Sequence, residues 1–234
     1  MANNRLTSIS RRRFLQLAYV LGTTPFAIQT GPAIAGMWSQ LFSAPKRTIS
    51  PITPNEEFYI TSYRTPPFVP AEQWALSIRG TVRSPLTLTY PKLLAHPAVT
   101  ETVTLECIGN GVAGEAIGTA EWQGIRLQSL LDKAGVSSQS RDVVFHAADG
   151  YSDSVPIERA MMDDVMIAYR MNGVPLPLGH GFPARMIVPG HYGMKHVQWL
   201  TGIELVPFDY KGYYQHQDWS DEAIIKTMSW MTAP

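Results

Sequence analysis

A single cysteine at the end of an alternating stretch constrains this chain more than any other sequence feature. Cys107 is the one cysteine among 234 residues, so no disulfide can form within the chain. Polar and apolar residues alternate from Val99 to Cys107, which predicts a half-buried β-strand. Gly109-Asn110-Gly111 follows and permits backbone angles that larger residues avoid. The sequence therefore predicts a thiol at a strand end, beside a loop that lets other groups approach closely.

Two interpretations of Cys107 are open at this point. A lone cysteine is often an inert, buried, small apolar residue. A cysteine thiolate is also a soft, strongly donating ligand for a redox metal, and the metal keeps the sulfur deprotonated.

Residues 1–35 predict an export signal of the twin-arginine type. Residues 10–16 read Ser-Arg-Arg-Arg-Phe-Leu-Gln, a moderately apolar run follows to about Ile28, and Ala33-Ile34-Ala35 offers a small-residue cleavage site. A basic amphipathic helix and an uncleaved anchor are the alternatives. The twin-arginine route carries folded proteins, often because a cofactor is inserted first. We therefore expect a periplasmic protein, and a metal ligand would explain its unpaired cysteine.

The rest of the chain predicts a linker and one domain. Prolines interrupt any regular pattern in residues 36–54, which we interpret as the linker, and residues 55–234 form the domain. The net charge is zero, so the chain lacks the basic excess expected of a nucleic-acid partner.

Short strands outnumber helices in the domain, which favours an α+β fold with mixed sheets over a doubly wound one. Leu127 to Ala134 has helical spacing, and Gly135 is a natural helix end. Two further short helices are predicted at residues 91–95 and 156–162. The predicted strands lie at residues 74–80, 86–90, 99–107, 143–147, 165–169, 184–188 and 197–206, with Asn172-Gly173 as a turn.

Over roughly residues 55–219 the chain resembles the molybdopterin domain of the sulfite oxidase family. Six stretches in the family's order carry the resemblance: residues 104–110, 122–131, 168–177, 180–190, 192–199 and 209–212. The resemblance implies a sulfite-oxidase-type molybdopterin-binding fold of mixed β-sheets with short helices in a single domain. It also implies molybdenum bound by one molybdopterin and by the thiolate of Cys107, which makes Cys107 the predicted metal ligand and a catalytic residue.

The same resemblance implies further site residues. Arg185 matches an arginine that binds the pterin, whose phosphate suits a guanidinium. Tyr210 matches the active-site tyrosine, a phenol that can hydrogen-bond a reacting oxygen. The implied cofactor-binding residues are Thr61, Tyr63, Arg64, Asp149, His180, Arg185, Lys195, His196, Val197 and Gln198.

Departures from the family's pattern bear on the substrate. Val112 and Thr61 stand where the family has arginines that hold an oxyanion. Because a dianion needs paired positive charge, efficient sulfite oxidation is not expected. The implied reaction is oxygen-atom transfer to or from a small sulfur- or nitrogen-centred substrate. Tyr210 favours oxidation of the sulfite type, whereas the lost arginines favour sulfoxide or N-oxide reduction. A non-catalytic cofactor-binding protein on the same scaffold is a further alternative.

Electron exchange implies a separate redox protein. The single cysteine excludes a Cys-x-x-Cys-His haem site and a cluster-binding cysteine set within this sequence. The candidates are a c-type cytochrome and a quinone-linked membrane subunit.

Overall fold

The computed structural model describes residues 50–229. The predicted export signal and most of the predicted linker lie outside these residues. Thr53, within that linker, already donates its backbone N–H to the carbonyl of Thr119 (2.7 Å). Contacts with the domain therefore begin before residue 55. No helix within residues 50–229 is long and apolar enough to cross a membrane.

The described residues form ten strands, three short α-helices and three 3-10 helices. The strands are Ala75–Gly80 (β1), Leu86–Thr89 (β2), Val99–Glu106 (β3), Ile117–Arg126 (β4), Asp142–Ala147 (β5), Ser152–Pro156 (β6), Met166–Met171 (β7), Val174–Pro175 (β8), Arg185–Ile187 (β9) and Leu200–Val206 (β10). The α-helices are Tyr90–Leu94 (α1), Leu127–Ala134 (α2) and Ile157–Ala160 (α3), and the 3-10 helices are Leu178–His180, Gly193–Lys195 and Gln215–Gln217.

The strands form two sheets. The first has the order β2-β1-β10-β5-β6, with β1 and β10 parallel and the other pairs antiparallel. The second has the order β3-β4-β7-β8, and β9 also pairs with β7. Mixed sheets with few short helices confirm the predicted α+β class.

Strand β7 separates two apolar cores. Ile167 and Tyr169 belong to a core shared with the first sheet and α2, whereas Met166 and Ala168 belong to a core that includes Trp122. Both faces of β7 are therefore buried from Met166 to Tyr169, which explains the apolar run there, and Arg170 is exposed.

Helix α2 confirms its prediction in detail. Leu127, Leu130, Leu131 and Ala134 are buried along one face. Gly135 follows with a φ of 70°, in the left-handed region where a residue without Cβ ends a helix at little cost.

Three strands, β4, β6 and β8, were not predicted. In β4 the inward positions include Gly118, Ala120 and Gly124, so the buried face carries too few large apolar residues to produce an alternating pattern. In β6 the buried residues include Asp153 and Ser154, which are polar. In addition, the turn at residues 172–173 leads into β8, and β9 reaches β7 only after a 3-10 helix.

Gly124→Ala tests the close approach of β4 and β7. A Cβ at this position would lie 2.0 Å from the carbonyl oxygen of Ile167, so the paired backbone would have to move. We expect the free energy of unfolding to fall by about 2–4 kcal/mol in chemical denaturation. Gly111→Ala is the matched control, because a Cβ there meets nothing within 4 Å. Equal stability of the two variants would contradict the close packing.

Candidate functional site

Cys107 lies directly after β3 and is held by its own loop. Its N–H donates to the carbonyl of Ala116 (2.9 Å), and its carbonyl accepts from the N–H of Asn110 (2.8 Å). The Asn110 amide donates to Glu106 Oε1 (3.0 Å) and accepts from the N–H of Ala116 (3.0 Å). The thiol itself is free and partly exposed. The loop therefore fixes the backbone of Cys107 and leaves the sulfur available to bind a ligand.

A cavity opens beside this thiol. Its wall combines the segment before β1, the end of β3, the turn after β5, residues 193–199 and the tail after β10. The lining residues are Phe58, Tyr59, Thr61, Ser62, Tyr63, Leu105, Cys107, Ile108, Ala147, Asp149, Tyr151, Arg185, Gly193, Met194, His196, Val197, Gln198, Trp199, Tyr214 and Trp219. The structure thus brings together the predicted residues Cys107, Thr61, Tyr63, Asp149, Arg185, His196, Val197 and Gln198.

Arg185 places a buried cation in this wall. Its Nη1 donates to the carbonyl of His180 (3.0 Å), its Nη2 donates to the carbonyl of His196 (3.1 Å), and its guanidinium lies 5.0 Å from the centre of the Trp122 ring. Burial lowers the pKa of Arg185 to about 10, so the side chain remains charged at neutral pH. Its Nε is buried without a hydrogen-bond partner among the described residues. A buried, charged donor without a partner is costly, so Arg185 has an unused donor with which it could bind an anionic group.

His196 adds no second charge beside Arg185. Burial, reinforced by the charge of Arg185, lowers the pKa of His196 to about 3. Its Nδ1 accepts from the N–H of Val188 (3.1 Å) and its Nε2 donates to the carbonyl of His191 (3.0 Å), which fixes the neutral tautomer. His196 therefore lines the cavity with both ring nitrogens already engaged.

Four predicted site residues do not line the cavity. The buried Lys195 Nζ donates to Asp153 Oδ1 and to the carbonyl of Ser154, both at 2.8 Å. This ion pair turns the ammonium group away from the cavity, so the structure does not support the predicted contact of Lys195 with a cofactor.

The other three each have a different partner. His180 Nε2 donates to the carbonyl of Asn55 (2.9 Å), and its carbonyl, rather than its ring, contacts Arg185. Arg64 is exposed, and its guanidinium lies 4.9 Å from the centre of the Tyr63 ring. The Tyr210 hydroxyl forms a hydrogen bond with the hydroxyl of Ser152 (2.7 Å). The catalytic role of Tyr210 stays a prediction, without a contact to the cavity in this structure.

The sequence analysis missed several aromatic lining residues, chiefly Tyr59, Tyr151, Tyr214 and Trp219. Tyr59 lies close enough to Cys107 and Arg185 for their charges to affect its pKa, which burial raises well above its usual range. Tyr59 is two residues from the predicted Thr61, and this spacing places both on one side of an extended segment. The aromatic tail was visible in the sequence, but nothing in it showed that the tail folds back over Cys107.

Comparison with known proteins identifies the family. The family model described as "Oxidoreductase molybdopterin binding domain" matches residues 63–214. The chain is 35% identical over 199 residues to the mitochondrial sulfite oxidase of Drosophila melanogaster, covering 71% of this chain and 35% of the relative. It is 32% identical to the NADH nitrate reductase of Volvox carteri, covering 78% of this chain and 25% of the relative.

A solved structure agrees with these relatives. The sulfane dehydrogenase SoxCD from Paracoccus pantotrophus aligns with a TM-score of 0.64 and 26% identity, covering 83% of this chain and 59% of that chain. The chain therefore belongs to the sulfite oxidase family of molybdopterin-binding oxidoreductase domains. It spans about a third of the length of the curated sulfite oxidases that it matches.

The residues present fit the molybdenum–molybdopterin cofactor of this family. Cys107 offers a free thiol, and the unpartnered Nε of Arg185 offers a charged donor in the same cavity. A soft sulfur donor suits the metal, and a guanidinium suits the phosphate of the pterin.

Arg185→Met tests this assignment. Methionine has an apolar side chain of similar length, so the substitution removes the buried charge with little change in shape. We therefore expect the purified protein to retain about tenfold less molybdopterin. The pterin is measured by its fluorescence after release and oxidation, per mole of folded protein. Arg141→Met is the control, because Arg141 is exposed and pairs with Asp209 at 3.5 Å outside the cavity. Equal retention in both variants would contradict a role for Arg185 in binding the cofactor.

Proposed function

We propose that this protein is a periplasmic molybdenum–molybdopterin oxidoreductase. It transfers an oxygen atom to or from a small sulfur- or nitrogen-centred substrate and exchanges electrons with a separate redox protein. The observation that carries the proposal is the free thiol of Cys107 in a cavity that also contains the unpartnered charged donor of Arg185. The relatives include a sulfite oxidase, a nitrate reductase and a sulfane dehydrogenase, whose names cover both kinds of substrate atom.

The cofactor and the residues that line the cavity have different roles in the proposed reaction. When bound, molybdenum–molybdopterin supplies the redox and oxygen-transfer chemistry. Cys107 contributes the thiolate ligand, and Arg185 holds the anionic part of the pterin. Tyr59, Tyr214 and the other aromatic side chains exclude water, which strengthens every electrostatic interaction in the cavity.

The charges of the wall bear on the direction of oxygen transfer. Val112 is 69% exposed and does not line the cavity, and Thr61 in the wall is uncharged. Among the described lysines and arginines, only Arg185 lines the cavity. Lys211, which directly follows Tyr210 in the sequence, does not line the cavity and pairs with Asp209 (2.9 Å) and Asp221 (2.5 Å). Because Arg185 is assigned to the pterin, a dianion such as sulfite would find no free lysine or arginine among the described lining residues, which supports reduction of a sulfoxide or N-oxide.

A second candidate is a cofactor-binding protein without catalysis. The position of Tyr210 favours it, because the phenol expected near the metal is bonded to Ser152 instead. Spectroscopy separates the two candidates. Reduction of the purified holoprotein gives a molybdenum(V) paramagnetic signal that substrate abolishes if the site turns over, whereas a substrate-independent signal supports the second candidate.

The proposed electron partner lies outside this sequence. The one cysteine of the chain is assigned to the metal, and the sequence has no Cys-x-x-Cys-His haem motif. We therefore propose that a c-type cytochrome or a quinone-linked membrane subunit exchanges electrons with the site.

Metal and pterin analysis of the exported protein is the first test. We expect about one molybdenum and one molybdopterin per chain in protein purified from the periplasmic fraction. A variant carrying Arg11→Lys and Arg12→Lys should remain in the cytoplasm, because it lacks the arginine pair of the export signal. A folded periplasmic protein without molybdenum would rule out the proposed chemistry, and periplasmic accumulation of the double variant would rule out the proposed route.

Matched turnover assays test the direction of transfer. We expect oxidation of a reduced dye in the presence of a sulfoxide or an N-oxide, and kcat/KM for sulfite with an electron acceptor lower by at least about a hundredfold, since paired charges are missing. The control is the same protein reconstituted without molybdenum. Faster turnover with sulfite would reverse the direction proposed here.

A further inference from the structure

The tail after β10 contributes two aromatic rings in mutual contact to the cavity. Tyr214 and Trp219 both line it, with their ring centres 4.6 Å apart and their planes 33° apart. Tyr214 also packs on Tyr151, with ring centres 5.7 Å apart. We call the pair Tyr214 and Trp219 the tail wall.

Buried polar contacts fix the backbone of this wall. The Gln215 amide donates to Asp153 Oδ1 (3.2 Å) and accepts from the N–H of Gly212 (3.0 Å). Asp153 is itself buried in its ion pair with Lys195. The N–H of Trp219 donates to the carbonyl of Tyr214 (3.1 Å). The backbone that carries both rings is therefore held in place, and the rings pack on one another, which lowers the entropy cost of binding.

The tail wall is uncharged and lies close to the thiol. Burial, together with the charge of Cys107, raises the pKa of Tyr214, so the phenol stays neutral. Trp219 is 40% exposed, which places it where the cavity meets solvent. The anionic part of the cofactor is assigned to Arg185 on β9, and none of the residues assigned to the cofactor comes from the tail. The tail wall therefore presents ring surface in the cavity that Cys107 also lines, and Tyr214 lies near that thiol.

We propose that the tail wall is a substrate subsite that binds a flat apolar substituent on the reacting atom. The inference rests on the proposed function and specifies its substrate class as organic. Aromatic faces attract flat, apolar groups through dispersion and ring-edge contacts. A bare oxyanion gains nothing from them and loses its hydration. Selection by the wall therefore adds to the disadvantage that sulfite already has in a cavity whose one described arginine is assigned to the cofactor.

Unreactive sulfones measure this selection without turnover. Methyl phenyl sulfone, dimethyl sulfone and sulfate share a tetrahedral sulfur and differ in substituent and charge. We expect the holoprotein to bind methyl phenyl sulfone about tenfold more tightly than dimethyl sulfone in calorimetric titration, and to bind sulfate more weakly than both. Sulfate binding as tightly as methyl phenyl sulfone would overturn the proposal.

Variants locate the preference. Tyr214→Ala and Trp219→Ala should each reduce the phenyl-to-methyl affinity ratio by about fivefold, because each removes one aromatic face. Phe208→Ala, in an aromatic residue that is 54% exposed and outside the cavity wall, should leave the ratio unchanged. Molybdopterin content is measured in every sample. An unchanged phenyl-to-methyl affinity ratio in both wall variants would overturn the proposal. If these variants also lost pterin, the tail wall would be assigned to cofactor binding instead.

The outcome is independent of catalysis. A protein that binds the sulfones in the expected order but reduces no substrate would refute the proposed function and leave the subsite intact. A protein that turns over small N-oxides and shows no phenyl preference would support the proposed function and refute the subsite.

Discussion

The buried ion pair between Lys195 and Asp153 joins β6 to two parts of the cavity wall, residues 193–199 and the tail after β10. Lys195 ends the 3-10 helix Gly193–Lys195, Asp153 lies in β6, and Gln215 connects the tail to the same carboxylate. The Tyr151 hydroxyl donates to Asp153 Oδ2 (2.9 Å), which adds a lining residue to the network. Breaking one partner of such a buried pair typically costs about 3–5 kcal/mol, because the other charge is left without compensation. The shape of the cavity therefore depends on charges that do not enter it.

Two basic residues that line the cavity, Arg185 and His196, differ in charge and in hydrogen bonding. Arg185 has two carbonyl acceptors and one idle donor, whereas His196 is neutral and fully bonded. A negatively charged ligand could accept a hydrogen bond from the free donor of Arg185, whereas His196 has no charge and no free ring nitrogen to offer it. The cavity can therefore stabilise one anionic group, the phosphate of the pterin, through Arg185. A second anion beside it would be poorly stabilised, because His196 is neutral.

Local sequence patterns predicted the elements whose signal is apolar. The strand that ends at Cys107, the helix that ends at Gly135 and the core strand β7 all carry large apolar residues at a regular period. Strand β4 escaped detection because glycine and alanine occupy its inward positions, and β6 because its buried side chains are polar and bonded to distant partners.

The same limit applies to the site. Cys107 and Arg185 were identified by motif, but the orientations of Lys195 and Tyr210 depend on Asp153 and Ser152, which lie 42 and 58 residues away. Pairings over such distances are set by tertiary folding and leave no local trace.

The parallel pairing of β1 with β10 determines when the first sheet can fold during synthesis. Ser77 pairs with Gly202, so the first sheet joins two segments from opposite ends of the domain. Its central ladder cannot close until the ribosome has released nearly the whole domain, whereas the antiparallel β3 and β4 can pair much earlier. During this interval β1 has one unpaired edge, and the nascent chain is exposed to aggregation or to capture by a chaperone until β10 arrives.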